Sequence, residues 1–136
     1  MVVIETDVLI ACASETDRHH DESVALIRNT RNIKLSPYAL VELDLLISSR
    51  VLVVKISDFY NALSDMVEYY DIKLLAPHPL HFLKAFKLRE KYGLTFFDSL
   101  HAASAICEND ILVSYDKIYA TVDELDYRHP SIFNNP

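Results

Sequence analysis

The sequence predicts an α/β fold in which a mostly parallel sheet is covered by helices on both faces. Short apolar segments rich in β-branched residues, such as VVI at 2–4 and ILV at 111–113, alternate along the chain with longer segments of helical pattern. Strands that alternate with helices are joined by crossover connections, which make the strands parallel and bury them on both faces. The 136 residues, 51% of them hydrophobic, are enough for a single domain, 1–136, with a substantial core.

The first half of the chain is predicted to form two strands and three helices. The strands are predicted at residues 2–6 and 33–35, and the helices at 8–13, 22–30 and 36–48. Ser36 and Pro37 favour the start of the third helix, because serine caps free amide groups and proline at the first helical position loses no needed donor. The segment VLVVKI at 51–56 has the composition of a strand but lies between two helical patterns, so a strand, a helix end and an extended connection all stay open.

The second half is predicted to continue the same alternation. The helices are predicted at 57–70, at 78–93 and from Asp98 onward, and the strands at 72–76 and 111–114. Gly93, the only glycine in the chain, is placed to end the second of these helices. Residues 117–125 fit a short helix or a turn, and the tail to Pro136 is expected to add an edge strand.

Composition excludes several classes of protein. The two cysteines, Cys12 and Cys107, lie in apolar helical segments and are expected in the core, so a disulfide framework is not expected and the reducing cytoplasm is favoured. No segment approaches the ~20 apolar residues of a membrane span, so no membrane association is expected. A net charge of −7 argues against a protein that holds nucleic acid on a broad basic surface, although it is compatible with a nuclease whose acids bind divalent ions.

Four acidic residues lie beside apolar segments, which is an unusual place for acids: Asp7, Glu42, Asp98 and Asp116. Asp7 and Asp116 follow predicted strands and Asp98 opens a predicted helix, so all three belong to the carboxyl edge of the sheet, where α/β folds place their sites. A buried carboxylate is costly unless a positive group compensates it. Because Mg²⁺ and Mn²⁺ take oxygen ligands, the four acids predict a site for one or two such ions.

Each acid also has an ordinary structural explanation. Asp98 is a suitable helix cap, and Asp7 and Asp116 are suitable turn residues. Glu42 is harder to explain in this way because it lies within the apolar segment ALVELDLLI, where the neighbouring Asp44 could be the exposed acid instead. One shared site explains all four acids better than four separate structural roles.

Two further patterns have both functional and structural explanations. One helical face carries Lys84, Lys87 and Lys91, which fits contacts to RNA phosphates or to an acidic partner. The solvated face of an amphipathic helix explains these lysines better. His101 lies three residues after Asp98 and can share its helical face. A core histidine, or one that hydrogen-bonds to the acids of the site, is expected there.

The four acids in their sequence context resemble the PIN-domain ribonucleases and, within them, the small VapC-like toxins of prokaryotic toxin–antitoxin pairs. The resemblance rests on the motifs VVIETDVLIACA, SPYALVELDLLI, LTFFDSLHAASA and ILVSYDKIYATV, which contain Asp7, Glu42, Asp98 and Asp116 in this order. The interval of 18 residues between the last two acids (116 − 98) is typical of the family. Val8, where the family often has a polar residue, and the additional acid Asp44 depart from its pattern.

The resemblance implies a three-layer α/β/α sandwich with a sheet of about five strands. It also implies that the four acids are the metal ligands and catalytic residues, with Mg²⁺ or Mn²⁺ as the cofactor. The hydroxyl of Ser114 would support the site through hydrogen bonds. By the same resemblance, RNA would be the substrate, a cognate antitoxin the protein partner and a homodimer the assembly.

Three functions are compatible with these residues. The first is a metal-dependent endoribonuclease in which metal-activated water attacks RNA phosphodiester bonds. The second is a PIN-like module with a weakened site that binds RNA or protein without turnover, which the acidic composition and Val8 favour. The third, a phosphohydrolase with Asp7 as nucleophile, is disfavoured because Leu9 stands where such enzymes commonly carry a second acid.

Overall fold

Five parallel strands form one sheet in the order β3-β2-β1-β4-β5. The computed structural model describes residues 1–133. Its strands are β1 (Val2–Ile4), β2 (Ile33–Leu35), β3 (Lys73–Leu74), β4 (Ile111–Val113) and β5 (Tyr127–Arg128). The helices are α1 (Thr6–Ala13), α2 (His20–Asn29), α3 (Ala39–Ser48), α4 (Ile56–Tyr69), α5 (Pro79–Tyr92) and α6 (Phe96–Glu108), with 3-10 helices at Lys117–Thr121 and Pro130–Phe133.

Helices cover both faces of the sheet, which gives three layers. In β1, Val2 and Ile4 belong to the core that the sheet forms with α1, α2, α3 and α4, whereas Val3 belongs to the core formed with α5 and α6. Successive side chains of a strand point to opposite faces, so a strand that is apolar on both faces is buried on both. The predicted α/β fold, with a parallel sheet of about five strands in three layers, is confirmed.

The strand order reverses at β1, which places a natural crevice at one end of the sheet. β1 pairs with β2 on one side and with β4 on the other, so that Val3 lies between Lys34 and Leu112. In open α/β sheets, sites form at such a switch point, beyond the carboxyl ends of the strands. We refer to the end of the sheet formed by the carboxyl ends of β1 and β4 as the carboxyl edge.

β1 is shorter than the sequence predicts. The strand ends at Ile4 rather than Thr6, because the side chain of Glu5 accepts a hydrogen bond from the backbone amide of Asp7 and thereby caps α1. Asp7 therefore lies in the first turn of α1 instead of at the end of the strand. Glu5 occupies the strand-end position predicted for Asp7.

The start of α6 also differs from the prediction. The helix begins at Phe96, and its cap is Thr95, whose hydroxyl accepts a hydrogen bond from the backbone amide of Asp98. Asp98 therefore lies in the first turn of α6 and is not its cap. The carboxylate of Asp98 is left available for other contacts.

Three further predictions have clear outcomes. Residues 51–55 form a connection rather than a strand, and α4 begins at Ile56. Cys12 is buried as expected, whereas Cys107 is exposed because it lies in the last turn of α6, where the helix emerges from the core. The predicted edge strand in the tail is β5, while residues 134–136 lie outside the described residues.

None of the helices in residues 1–133 is both long and apolar enough to cross a membrane.

Gly93 ends α5 in the left-handed conformation, with φ 68°. A Cβ atom at this position would meet no atom within 4 Å, so the cost of a side chain is that of the backbone conformation alone. We expect Gly93→Ala to lower the free energy of unfolding by about 1 kcal/mol, and Gly93→Asn to lower it less, because asparagine tolerates this conformation. Urea denaturation measures both changes. An alanine variant as stable as the wild type would contradict this role of Gly93.

Candidate active site

Acidic side chains from several elements meet at the carboxyl edge. They come from the β1–α1 junction, from α3, from α6 and from the segment after β4: Glu5, Asp7, Glu42, Asp98 and Asp116. Among residues 1–133, none of these five carboxylates forms a salt bridge with lysine or arginine, and His101 is the one basic side chain paired with them, through Glu42. Basic side chains therefore leave most of this negative charge uncompensated.

Glu5 lies at the centre of the site and is only 5% exposed. Its Oε1 accepts a hydrogen bond from the backbone amide of Asp7 (2.8 Å), and its Oε2 accepts from the hydroxyl of Tyr119 (2.9 Å). The hydroxyl oxygen of Ser114 lies 3.3 Å from the same Oε2. Burial, together with the negative charge of Asp7, raises the pKa of Glu5 well above its usual value, and the hydrogen bonds offset this only in part.

Asp7 has one satisfied and one unsatisfied carboxylate oxygen. Its Oδ2 accepts hydrogen bonds from the hydroxyl of Ser114 (2.8 Å) and from the backbone amide of Tyr115 (2.9 Å). Its Oδ1 is buried and has no hydrogen-bond partner among residues 1–133. Burial raises the pKa of Asp7 above its usual value, although the bonds from Ser114 and Tyr115 oppose this effect. A buried oxygen without a partner is suited to receive a ligand that the polypeptide does not supply.

Glu42, in the first turn of α3, is held by a hydrogen-bond chain. Its Oε1 accepts from the hydroxyl of Thr6 and from Nε2 of His101, the latter at 2.8 Å. Because a carboxylate only accepts hydrogen bonds, Nε2 of His101 carries a proton, and in the neutral ring Nδ1 then accepts from the hydroxyl of Ser36 (2.6 Å). Burial raises the pKa of Glu42, but the hydrogen bonds from His101 and Thr6 outweigh it, so the pKa lies below its usual value.

Tyr119 joins Asp98 to Glu5. Its hydroxyl lies 2.9 Å from Oε2 of Glu5 and 3.1 Å from Oδ1 of Asp98, and its ring is fully buried. One hydroxyl has one proton, so at any moment it donates to only one of the two carboxylates. Burial and the charges of Glu5 and Asp98 raise the pKa of Tyr119, which keeps this proton on the phenol.

Asp116 lies at the exposed rim of the site. Its Oδ1 accepts a hydrogen bond from the backbone amide of Ile118 (3.0 Å) and so caps the 3-10 helix at Lys117–Thr121. Its own amide donates to the hydroxyl oxygen of Ser114 (3.0 Å). Ser114 therefore contacts three acids of this edge, namely Glu5, Asp7 and Asp116.

The structure places the residues predicted from the sequence at one edge and adds Glu5 to them. Ligand atoms of Glu5, Glu42 and His101 lie within 4.8 Å of one another. Glu5 is not among the acids predicted from the sequence, although it directly follows the apolar segment VVI of β1, which is the position expected for a site acid. His101 was expected to be a core residue or a hydrogen-bond partner of the acids, and the structure shows both features together.

A family model described as the PIN domain matches residues 2–125. The chain belongs to the PIN-domain family. The match spans all four sequence motifs and confirms the resemblance to the PIN-domain family that was predicted from them. No curated protein sequence shows a significant match to this PIN domain.

Solved structures share the fold of this PIN domain at low sequence identity. It is similar to a chain of VapBC2 from Rickettsia felis, solved with a DNA fragment from its promoter, with a TM-score of 0.73, 17% identity and coverage of 95% of this chain and 98% of that chain. It is also similar to a chain of a toxin–antitoxin complex from Klebsiella pneumoniae (TM-score 0.68, 15% identity, coverage 96% and 98%). A chain of FitAcB from Neisseria gonorrhoeae gives a TM-score of 0.66 at 16% identity, with coverage of 96% and 99%.

Because burial disfavours the charged form of Asp7, removal of its charge predicts a variant that is more stable than the wild type. The pKa of Asp7 is raised in the folded protein, so the folded state holds the proton more tightly and the free energy of unfolding falls as the pH rises from the unfolded pKa through the folded one. In EDTA, we expect Asp7→Asn to be more stable than the wild type at about pH 8, by roughly 1–3 kcal/mol. The difference should shrink at about pH 4, where the carboxyl group becomes protonated.

Urea denaturation at the two pH values measures this difference. Asp65→Asn, on the exposed side of α4, is the matched control and should show no such pH dependence. An Asp7→Asn variant that is less stable than the wild type at the higher pH would show that the carboxylate stabilises the fold.

The position of Tyr119 predicts that loss of its hydroxyl alone lowers the free energy of unfolding. Tyr119→Phe removes only the hydroxyl that Glu5 and Asp98 share, so we expect the free energy of unfolding to fall by roughly 1–3 kcal/mol. Tyr60→Phe removes a hydroxyl that donates to the exposed Asp44 (2.7 Å) and should cost at most about 0.5 kcal/mol. Thermal or urea denaturation compares the two, and equal losses would refute the bridging role of Tyr119.

Proposed function

We propose that this PIN domain is a metal-dependent endoribonuclease that hydrolyses RNA phosphodiester bonds and is the toxin of a toxin–antitoxin pair. The observation that carries the proposal is a cluster of acids without lysine or arginine partners, in which Oδ1 of Asp7 is buried and unpaired among the described residues. Carboxylates gathered in this way are costly unless a cation compensates them. A divalent ion is the cation that best fits an all-oxygen site.

The residues present fit a hard divalent ion. The proposed metal-binding and catalytic residues are the four acids predicted from the sequence together with the central buried acid: Asp7, Glu42, Asp98, Asp116 and Glu5. Their carboxylate oxygens favour Mg²⁺ or Mn²⁺, which when bound lowers the pKa of a water molecule and neutralises charge that develops on a phosphodiester. His101 serves as a hydrogen-bond donor to Glu42 rather than as a ligand, because its Nε2 carries the proton.

Neighbouring groups hold the acids in place. Ser114 and the amide of Tyr115 bind Oδ2 of Asp7 and so leave Oδ1 available. Thr6 and His101 do the same for Glu42 by binding its Oε1. Residues that orient ligands in this way typically contribute about 10–100-fold to metal affinity.

The proposed partners are a cognate antitoxin and a second copy of the chain, with all of them in the cytoplasm. A toxin–antitoxin complex is among the structures that share this fold, which supports the antitoxin. Exposed apolar side chains on α5, including Leu80, Leu83 and Phe86, supply surface suited to protein contacts.

RNA cleavage by purified protein tests the proposed function. We expect a labelled RNA to be cleaved in Mg²⁺ or Mn²⁺ and to stay intact in EDTA. Asp7→Asn, Glu5→Gln and Asp98→Asn should each lower the rate by about 100-fold or more, since an ion that stabilises the transition state contributes several kcal/mol. Asp65→Asn is the matched control and should cleave like the wild type.

Calorimetric titration with Mn²⁺ separates a ligand from a structural acid. Binding should be lost or strongly weakened in Asp98→Asn, whereas a purely structural Asp98 would leave it unchanged.

Undiminished cleavage by both Asp7→Asn and Asp98→Asn would rule out the nuclease proposal. Binding of metal or RNA without any cleavage by highly purified protein would instead favour the alternative, a catalytically weakened PIN-like binding module.

A further inference from the structure

An aromatic cluster lies directly beside the acids of the carboxyl edge. The rings of His19 and Tyr115 are stacked, with centroids 3.9 Å apart and planes at 15°, and His129 meets Tyr115 edge-on at 5.3 Å. All three side chains are half-buried. Next to them, the exposed Arg18 donates a hydrogen bond from Nε to Nε2 of His19 (3.1 Å). We call these four residues the Tyr115 cluster.

The Tyr115 cluster is fixed in position relative to the acids. The backbone amide of Tyr115 donates to Oδ2 of Asp7, and Tyr115 lies between Ser114 and Asp116 in the chain. The other end of its side chain is anchored as well, because its hydroxyl lies 2.8 Å from Oγ of the buried Ser23. A group bound to the exposed side of this cluster would therefore be held at a set distance from Asp7 and Asp116.

Packing of Tyr115 against the core accounts for its own ring but not for the histidine rings and the guanidinium group beside it. Ring nitrogens and a guanidinium group are poor core components, and the cluster stays half-exposed at the site. A chain with a net charge of −7 repels a polyanion such as RNA, most strongly next to several carboxylates. Binding of RNA at this edge therefore needs contacts that do not depend on a broad basic surface. Aromatic stacking suits that task, because every base has a flat face and stacking does not depend on a basic surface. Arg18 adds a local positive charge that suits a phosphate.

From this geometry we propose that the Tyr115 cluster is a nucleotide subsite for single-stranded RNA beside the acids. A base stacks on the exposed part of the His19–Tyr115 pair, and Arg18 contacts a phosphate of the same strand. This subsite rests on the proposed nuclease function and specifies its substrate as an unpaired strand. It also predicts tolerance of base identity at this position, because stacking does not read hydrogen-bonding edges.

Fluorescence anisotropy with a short labelled single-stranded RNA tests the subsite in an Asp98→Asn background, in which cleavage is expected to be about 100-fold slower or more. We expect His19→Ala to weaken binding about 10-fold, in line with the loss of one base-stacking contact. His19→Phe keeps a flat aromatic face and should retain most of the affinity. Arg18→Ala should reduce the slope of log affinity against log salt by about 0.7, as expected for one phosphate contact on a single strand.

Two comparisons make the test specific. Arg31→Ala removes an exposed arginine just before β2, at the opposite end of the sheet, and should leave both affinity and salt slope unchanged. An RNA that is abasic throughout should bind His19→Ala and the parent protein equally, because it has no base to stack. Equal weakening of the normal and the abasic RNA by His19→Ala would overturn the stacking role.

The failure of the subsite and the failure of the nuclease proposal are distinguishable. Unchanged RNA binding by both His19→Ala and Arg18→Ala would overturn the subsite, even if the wild type cleaves RNA. The expected losses of binding, found together with no cleavage by the wild type, would support the subsite in a protein that binds RNA without hydrolysing it. Displacement of the RNA by polyglutamate at equal charge concentration would show a general polyanion site and overturn the assignment to nucleotides.

Discussion

The acidic edge of this PIN domain depends on how the buried carboxylate of Glu5 is satisfied. One oxygen accepts a hydrogen bond from the backbone amide of Asp7. This cap lets α1 begin immediately after β1 and sets the position of Asp7. The other oxygen accepts a hydrogen bond from the hydroxyl of Tyr119. This bond holds the 3-10 helix that follows β4 against the same carboxylate. A buried carboxylate without such partners would cost several kcal/mol. Two connections of the sheet are therefore held together by one side chain.

The acids of this edge differ in how readily they ionise. Burial raises the pKa of both Glu5 and Asp7, whereas hydrogen bonds from His101 and Thr6 outweigh burial at Glu42 and lower its pKa. One side of the site is therefore stabilised as a carboxylate by the protein itself. The other side remains costly to ionise without an added cation, which is the arrangement expected where stability has been given up for a binding site.

The net negative charge of the chain is compatible with the proposed nucleic-acid substrate because charge is distributed unevenly. Lys84 pairs with Glu124 and Arg128 pairs with Asp126, so these cations are already compensated within the protein. On the lysine face of α5, Lys87 and Lys91 are exposed, as a solvated surface predicts, whereas Lys84 is half-buried. The Tyr115 cluster, by contrast, offers flat rings and Arg18 next to the acids. In the proposed nuclease, recognition of RNA would depend on this small local surface rather than on net charge.

The amino-acid sequence alone predicted the parallel α/β fold, because strands that are buried on both faces appear in the sequence as continuous apolar segments. It also predicted the family, because the acids beside these segments can be recognised from their local sequence. It singled out Asp7, Glu42, Asp98 and Asp116, which the structure places at the carboxyl edge, but not Glu5, which lies among them. Whether α1 begins at Thr6 or two residues later depends on the cap at Glu5, which in turn contacts Tyr119, 114 residues away in the chain. Similarly, His101 contacts Glu42 across 59 residues. Such contacts arise only when the sheet and its helices pack together, so the tertiary structure decided which acid lies at the centre of the site.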